Sequence, residues 1–224
     1  MKKFPLVSMV ILAMNLIGGA LELIYGYNNV FQNCCMYQGA LADTSEWYRV
    51  FTSAFIHSNA MHLMSNMVCL LSFGFLLEPR IGKARYAAVY AAGIIGSAVM
   101  IHFTGGVRAG HLGASGAVWA LMSAAFVTML FRHENLTGVF RCIILNIVYS
   151  FGSGVSWQGH LGGGIAGLLI ALILCRSALQ SGPKLRVDSD GQVQVVKNRA
   201  YWEWKKTHPN CSDDYFISKE RREE

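Results

Sequence analysis

Apolar residues run along this chain in long blocks rather than in alternation. Six stretches approach the length a membrane-crossing helix needs, roughly 20 residues for about 30 Å of hydrocarbon. They cover residues 4–25, 59–77, 86–104, 115–131, 139–155 and 158–175. Glu78-Pro79 closes the second stretch, because proline is a poor helix continuer. The fifth is short and comparatively polar, with Asn146, Tyr149 and Ser150. The first follows two lysines as a signal peptide would, but it exceeds the usual h-region and no small-x-small site follows, so a retained helix is expected. The pattern predicts an all-α polytopic membrane protein, a bundle of six transmembrane helices.

Beyond residue 175 the pattern changes. The segment KLRVDSDGQVQVV alternates around an Asp-Gly pair, which is a hairpin signal. AYWEWKK carries the aromatic residues that favour a membrane interface. A flexible polar tail is the other reading of the same stretch. The expected organisation is a six-helix domain over residues 1–175 and a polar C-terminal tail over residues 176–224.

Charge orients the bundle. Lys2 and Lys3 precede the first stretch; Arg80, Lys83 and Arg85 lie between the second and third; Arg132 lies between the fourth and fifth, with Arg141 at the very start of the fifth. The opposite loops hold Arg49 and Arg108, with Asp43 and Glu46 beside the former. The positive-inside rule then puts both termini in the cytoplasm, and the second, fourth and sixth stretches run from outside to inside.

Composition agrees: 53% hydrophobic and 14% charged residues exclude an ordinary soluble domain. The formal charge of +6 comes with no aromatic-basic nucleic-acid motif, so the bilayer is the expected partner and nucleic acid is not. The six cysteines show no zinc spacing and no CxxC. Cys69, Cys142 and Cys175 read as buried small apolar residues, and the neighbours Cys34 and Cys35 as either free or oxidisable thiols in an external loop. No HExxH and no clustered ligand set appears among the seven histidines, so no metal or cofactor is expected.

Three polar clusters stand out. Ser115 opens the fourth stretch between Gly113, Ala114 and Gly116, where free N–H groups and the positive helix end can stabilise an oxyanion. His160 opens the sixth, beside a face of Gly159, Gly163 and Gly167 that allows close helix contact, with the fourth stretch as the expected neighbour. His62 and Asn66 share a face at the start of the second, with His57 a turn earlier. Each cluster lies at the start of an outside-to-inside helix, so all share one shallow depth. A serine, a base and oxyanion donors need that convergence.

This set resembles the rhomboid proteases. The residues that carry the likeness are GASG at 113–116, GHLGG at 159–163, and the His-x4-His-x3-Asn run through His57, His62 and Asn66. Trp47-x-Arg49 is similar to the family's tryptophan-arginine pair with one residue inserted, and Glu78 with Gly82 matches a glutamate-x3-glycine element. The resemblance covers the six-helix core and implies a six-helix rhomboid-like bundle.

It further implies that Ser115 attacks the scissile carbonyl and His160 acts as its base, with no acidic third member. His62, Asn66 and the Ser115 N–H would form the oxyanion hole, and Gly113 would keep the approach open. His57 matches a position near that hole. Trp119 replaces a tyrosine that supports the base, and can stack on imidazole instead. Substrates would be single-span membrane proteins, entering beside the polar fifth helix. The alternative is a catalytically silent rhomboid-like binding or quality-control factor, whose relatives lack the serine or histidine; both are present here. An aspartyl protease is excluded because no Asp lies in any stretch, and a transporter would place its polar residues nearer mid-membrane. Glu22, the acidic residue in the first stretch, reads as a partner for another polar group. The sequence carries no signal of oligomeric state.

Overall fold

The computed structural model describes residues 4–106, 109–131, 134–150, 155–174, 184–187, 192–196, 199–207 and 209–214. Lys2, Lys3, Arg108, Arg132, Cys175, the Asp190-Gly191 turn and the 151–154 part of the fifth stretch lie outside them, as does the side chain of Tyr149. The chain separates into two compact units, Met1–Ala178 and Leu179–Glu224.

In the first unit the helices are α1 (Leu6–Tyr25), α2 (Tyr27–Cys34), α3 (Arg49–Thr52), α4 (Ala60–Ile81), α5 (Lys83–Thr104), α6 (Ser115–Phe131), α7 (Thr137–Ser150) and α8 (Trp157–Leu174). Helices α1, α4, α5 and α8 are each long and apolar enough to cross a membrane, and the shorter apolar α6 and α7 complete the polytopic bundle of six. Exposed Leu, Ile, Val and Phe side chains cover its outer face, as expected where lipid replaces water.

Helix α6 is the centre. Gly116, Ala117, Ala120, Leu121, Ala124 and Ala125 are all buried along it. Its 17 residues span about 25 Å, short of roughly 30 Å of hydrocarbon. A central helix this short can begin below the membrane surface, which suits a submerged site at its N-terminus.

Small residues set the spacing around α6. A Cβ on Gly163 would strike the Gly116 carbonyl, and one on Gly167 would strike the backbone of Ala120. Helix α8 therefore lies directly on α6. On its other side α8 meets α5, where Gly162 and Gly96 make the same close backbone contact. Membrane helices gain most of their association from such packing, since lipid offers no hydrophobic drive.

Helix α4 does not stop at Glu78-Pro79. It runs on to Ile81 and ends at Gly82, whose φ of +87° few other residues adopt. A proline in the last turn removes only one backbone hydrogen bond, so the helix can absorb it. Glu78 has a further task. Its carboxylate accepts from the Val7 and Ser8 N–H groups at 3.0 Å and from the Ser8 hydroxyl at 2.9 Å. It thereby caps the N-terminus of α1, where unpaired donors favour an anion.

The second unit holds a hairpin and a helix. Strands β1 (Lys184–Val187) and β2 (Val193–Val196) pair antiparallel, with Leu185 opposite Val195. Helix α9 (Arg199–Thr207) follows, with Tyr201 buried, its hydroxyl donating to Asp213 at 2.7 Å, and Trp202 exposed.

Candidate active site

The N-termini of α4, α6 and α8 meet around one cavity of about 1180 Å³. That exceeds the roughly 300–1,000 Å³ of common small-molecule pockets. Ser115, His160, His62, Asn66 and Trp119 all line it.

Ser115 is the first residue of α6 and is half-buried. The backbone before it is held from three directions. The Gly113 N–H donates to the Ser53 carbonyl at 2.8 Å. His111 exchanges two backbone hydrogen bonds with Met36, at 2.7 and 2.8 Å. The Ala114 N–H donates to His57 Nε2 at 3.4 Å.

Gly113 has φ +111°, a region closed to most side chains. A Cβ there would lie 2.7 Å from His62 Cε1, 2.9 Å from His62 Nε2 and 3.8 Å from Asn66 Nδ2. Glycine thus leaves open the space into which both donors project.

Asn59 Nδ2 donates to Ser58 Oγ at 3.3 Å, and Ser58 Oγ lies 3.1 Å from His62 Nδ1. With the hydroxyl donating to Nδ1, Nε2 carries the ring proton, aimed at the space beside Gly113. Asn66 Nδ2 also donates to the His62 carbonyl at 3.1 Å, which fixes the amide with a second proton still available. Two side-chain donors and the free N–H groups of the α6 N-terminus converge there.

His160 sits in the first turn of α8 and is buried. Trp119 stacks against its ring with centroids 5.6 Å apart and planes 26° from parallel. Its Nδ1 lies 2.6 Å from Ser150 Oγ on α7. The Ser115 hydroxyl makes no hydrogen bond to His160 among the described residues.

His57 is buried in the loop before α4. Its N–H donates to Glu22 Oε1 at 2.6 Å, which supplies the polar partner expected for Glu22. Burial, and then the neighbouring His62, push its titration down to about 4, so the ring is neutral and Nε2 can accept from Ala114. His57 shapes the approach to Ser115 and edges against His62 at 5.1 Å between centroids.

The chain between α2 and α4 is a folded cap. Arg49 is buried, donates to the Gln32 and Cys35 carbonyls at 2.9 and 3.1 Å, pairs with Glu46, and lies over the rings of Tyr37 and Tyr48. The Trp47 indole donates to the Leu41 carbonyl at 3.0 Å. Cys34, Cys35, Cys69 and Cys142 are free thiols, with Cys35 buried and Cys69 and Cys142 only half-buried. Sequence reasoning missed Ser53, Ser156 and the contact of Ser150 with His160. Ser156 accepts the Gly159 N–H at 3.3 Å as the cap of α8 and binds His111 at 2.7 Å. A serine just before an apolar run is a capping signal; nothing in the spacing of Ser150 reveals which residue it faces.

Residues 44–177 match the Rhomboid domain. The putative rhomboid protease YdcA of Bacillus subtilis is 32% identical over 135 residues, covering 57% of this chain and 67% of that protein. RHOMBOID-like protein 5 of Arabidopsis thaliana is 29% identical over 60% of this chain and 46% of its own length. Rhomboid protease AarA of Providencia stuartii is 26% identical over 59% of this chain and 57% of its own length. The chain thus spans between about half and two thirds of these relatives. A bundle of six apolar helices, with serine, histidine and asparagine side chains gathered in a cavity at one end, defines an integral multi-pass membrane protein. The chain belongs to the rhomboid family.

Proposed function

We propose that this protein is an intramembrane serine endopeptidase that cuts the transmembrane segments of single-span membrane proteins near the outer face. The observation that carries the reading is the gathering of Ser115, His160, His62 and Asn66 around one cavity at the N-terminus of α6. The relatives named as rhomboid proteases support it. In this reading residues 1–175 form the protease domain and residues 176–224 a polar cytoplasmic tail. Both termini face the cytoplasm of a cell membrane, an orientation supported by the Arg80, Lys83 and Arg85 cluster between α4 and α5.

The chemistry runs through a dyad. Ser115 Oγ attacks the carbonyl carbon while His160 takes its proton. The tetrahedral oxyanion accepts from His62 Nε2–H, Asn66 Nδ2 and the Ser115 N–H. His160 returns the proton to the leaving amine, and the C–N bond breaks. Water, deprotonated by His160, then hydrolyses the acyl ester. A void of about 20 Å³ behind Ser115, lined also by Ser53, Ser97, His111 and Ser156, has room for one water.

Purified protein in liposomes is expected to cut a single-span test substrate, and Ser115→Ala to leave it intact. Equal cleavage by both would sink the proposal. No cleavage by either, with substrate still bound, would point to a catalytically silent member of the family.

A further inference from the structure

Helix α7 carries Cys142, Asn146 and Ser150 four residues apart, hence along one face. Asn146 lines the cavity, and Ser150 meets the base histidine across from it. The Ser150 hydroxyl has two close neighbours: the Asn146 carbonyl at 2.7 Å and His160 Nδ1 at 2.6 Å.

A hydroxyl has one proton, and a carbonyl oxygen can only accept. The proton therefore goes to Asn146, the common i−4 bond of a serine in a helix. That leaves Ser150 Oγ as the acceptor facing His160, so Nδ1 must carry the ring hydrogen. A neutral imidazole protonated at Nδ1 has a bare lone pair at Nε2, the form a general base needs.

We propose that Ser150 is a positioning residue for His160: backed by the Asn146 carbonyl, it holds Nδ1–H and so presents Nε2 as the base toward Ser115. The proposal rests on the reading of Ser115 and His160 as the dyad. Two constraints act together. The Trp119 stack fixes the plane of the ring, and the Ser150 bond fixes its rotation within that plane. When His160 takes the Ser115 proton, the Nδ1–H bond becomes charge-assisted and strengthens. A neutral hydroxyl and carbonyl then do the orienting work that an acidic residue does in a three-member relay. The interaction strengthens in the transition state, so its loss belongs in kcat rather than KM.

The test compares full-length wild type, Ser150→Ala and Ser150→Thr in liposomes with a single-span test substrate, with Ser115→Ala and His160→Ala as controls. Ser150→Ala is expected to lower kcat about 10- to 100-fold, as when partners that orient metal-bound histidines are removed. KM and the thermal midpoint stay near wild type, and Ser150→Thr, which keeps the hydroxyl, recovers most of the rate. A Ser150→Ala enzyme with wild-type kcat, or one altered only in KM, overturns the proposal while the silent controls leave the dyad standing. Cleavage by Ser115→Ala overturns the dyad and this proposal with it. Should Ser150→Ala fail to fold, nitrogen NMR of 15N-histidine wild type decides, with His160→Ala identifying the signal. An Nδ1–H tautomer at neutral pH supports the proposal and an Nε2–H tautomer overturns it.

Discussion

At Gly113 the chain turns through φ +111° beside His62 and Asn66, so two side-chain donors and a helix N-terminus share one small space. Their value is measured one at a time. Asn66→Ala should lower kcat by about 10²–10³-fold, the usual loss for one oxyanion donor, with KM little changed. A steady-state cleavage assay checks the split. His57 acts through pH. Its titration falls from 6.5 in the open chain to about 4 in the fold, so between these values the unfolded chain binds the extra proton. Stability held above pH 6.5 should drain as pH falls toward 4, by about 3 kcal/mol for this group. Protonation would also turn Nε2 into a donor facing the Ala114 N–H. Thermal midpoints of wild type and His57→Gln at pH 7 and pH 5 measure this: the midpoint of wild type should fall further than that of the variant.

Helices in this bundle were largely legible because a membrane demands long apolar blocks and the chain supplies them. The end of α4 was not. Glu78-Pro79 looked like a stop, yet one missing N–H in a last turn is a small loss, and Gly82 with its positive φ is the true terminator. The Gly159, Gly163, Gly167 face was legible as a contact surface. That Gly162 meets Gly96 of α5 was not, because a glycine pattern on one helix does not name its neighbour. The same limit hid Ser150: its polarity was visible along α7, its partner on α8 was not. Gly163→Ala places a methyl against the Gly116 carbonyl and should destabilise the bundle by about 1–3 kcal/mol, with α8 and His160 displaced and cleavage falling in parallel. Glu78→Ala strips three donors at the α1 N-terminus of their acceptor and should cost about 3 kcal/mol or more. Denaturant or thermal unfolding in detergent reads both.

The bundle as a whole solves a problem of access. Hydrolysis needs polar groups and water, and hydrocarbon tolerates neither. Here the polar residues collect at one end of three helices, and α6 is short enough to start below the surface. The chain between α2 and α4 packs against that end: Arg49 ties it together, and Ser53 and Met36 grip the strand of chain that leads to Ser115. The rest of the molecule brings Ser115 and His160 to one cavity, as the proposed dyad requires. The most direct measurement of that claim is covalent labelling with a phosphonofluoridate, whose phosphorus is attacked by an activated serine oxygen with loss of fluoride. Mass spectrometry of the labelled protein should find the adduct on Ser115 in wild type and almost none in His160→Ala. Equal labelling of Ser115 with and without His160, or an adduct on another serine, would contradict the dyad.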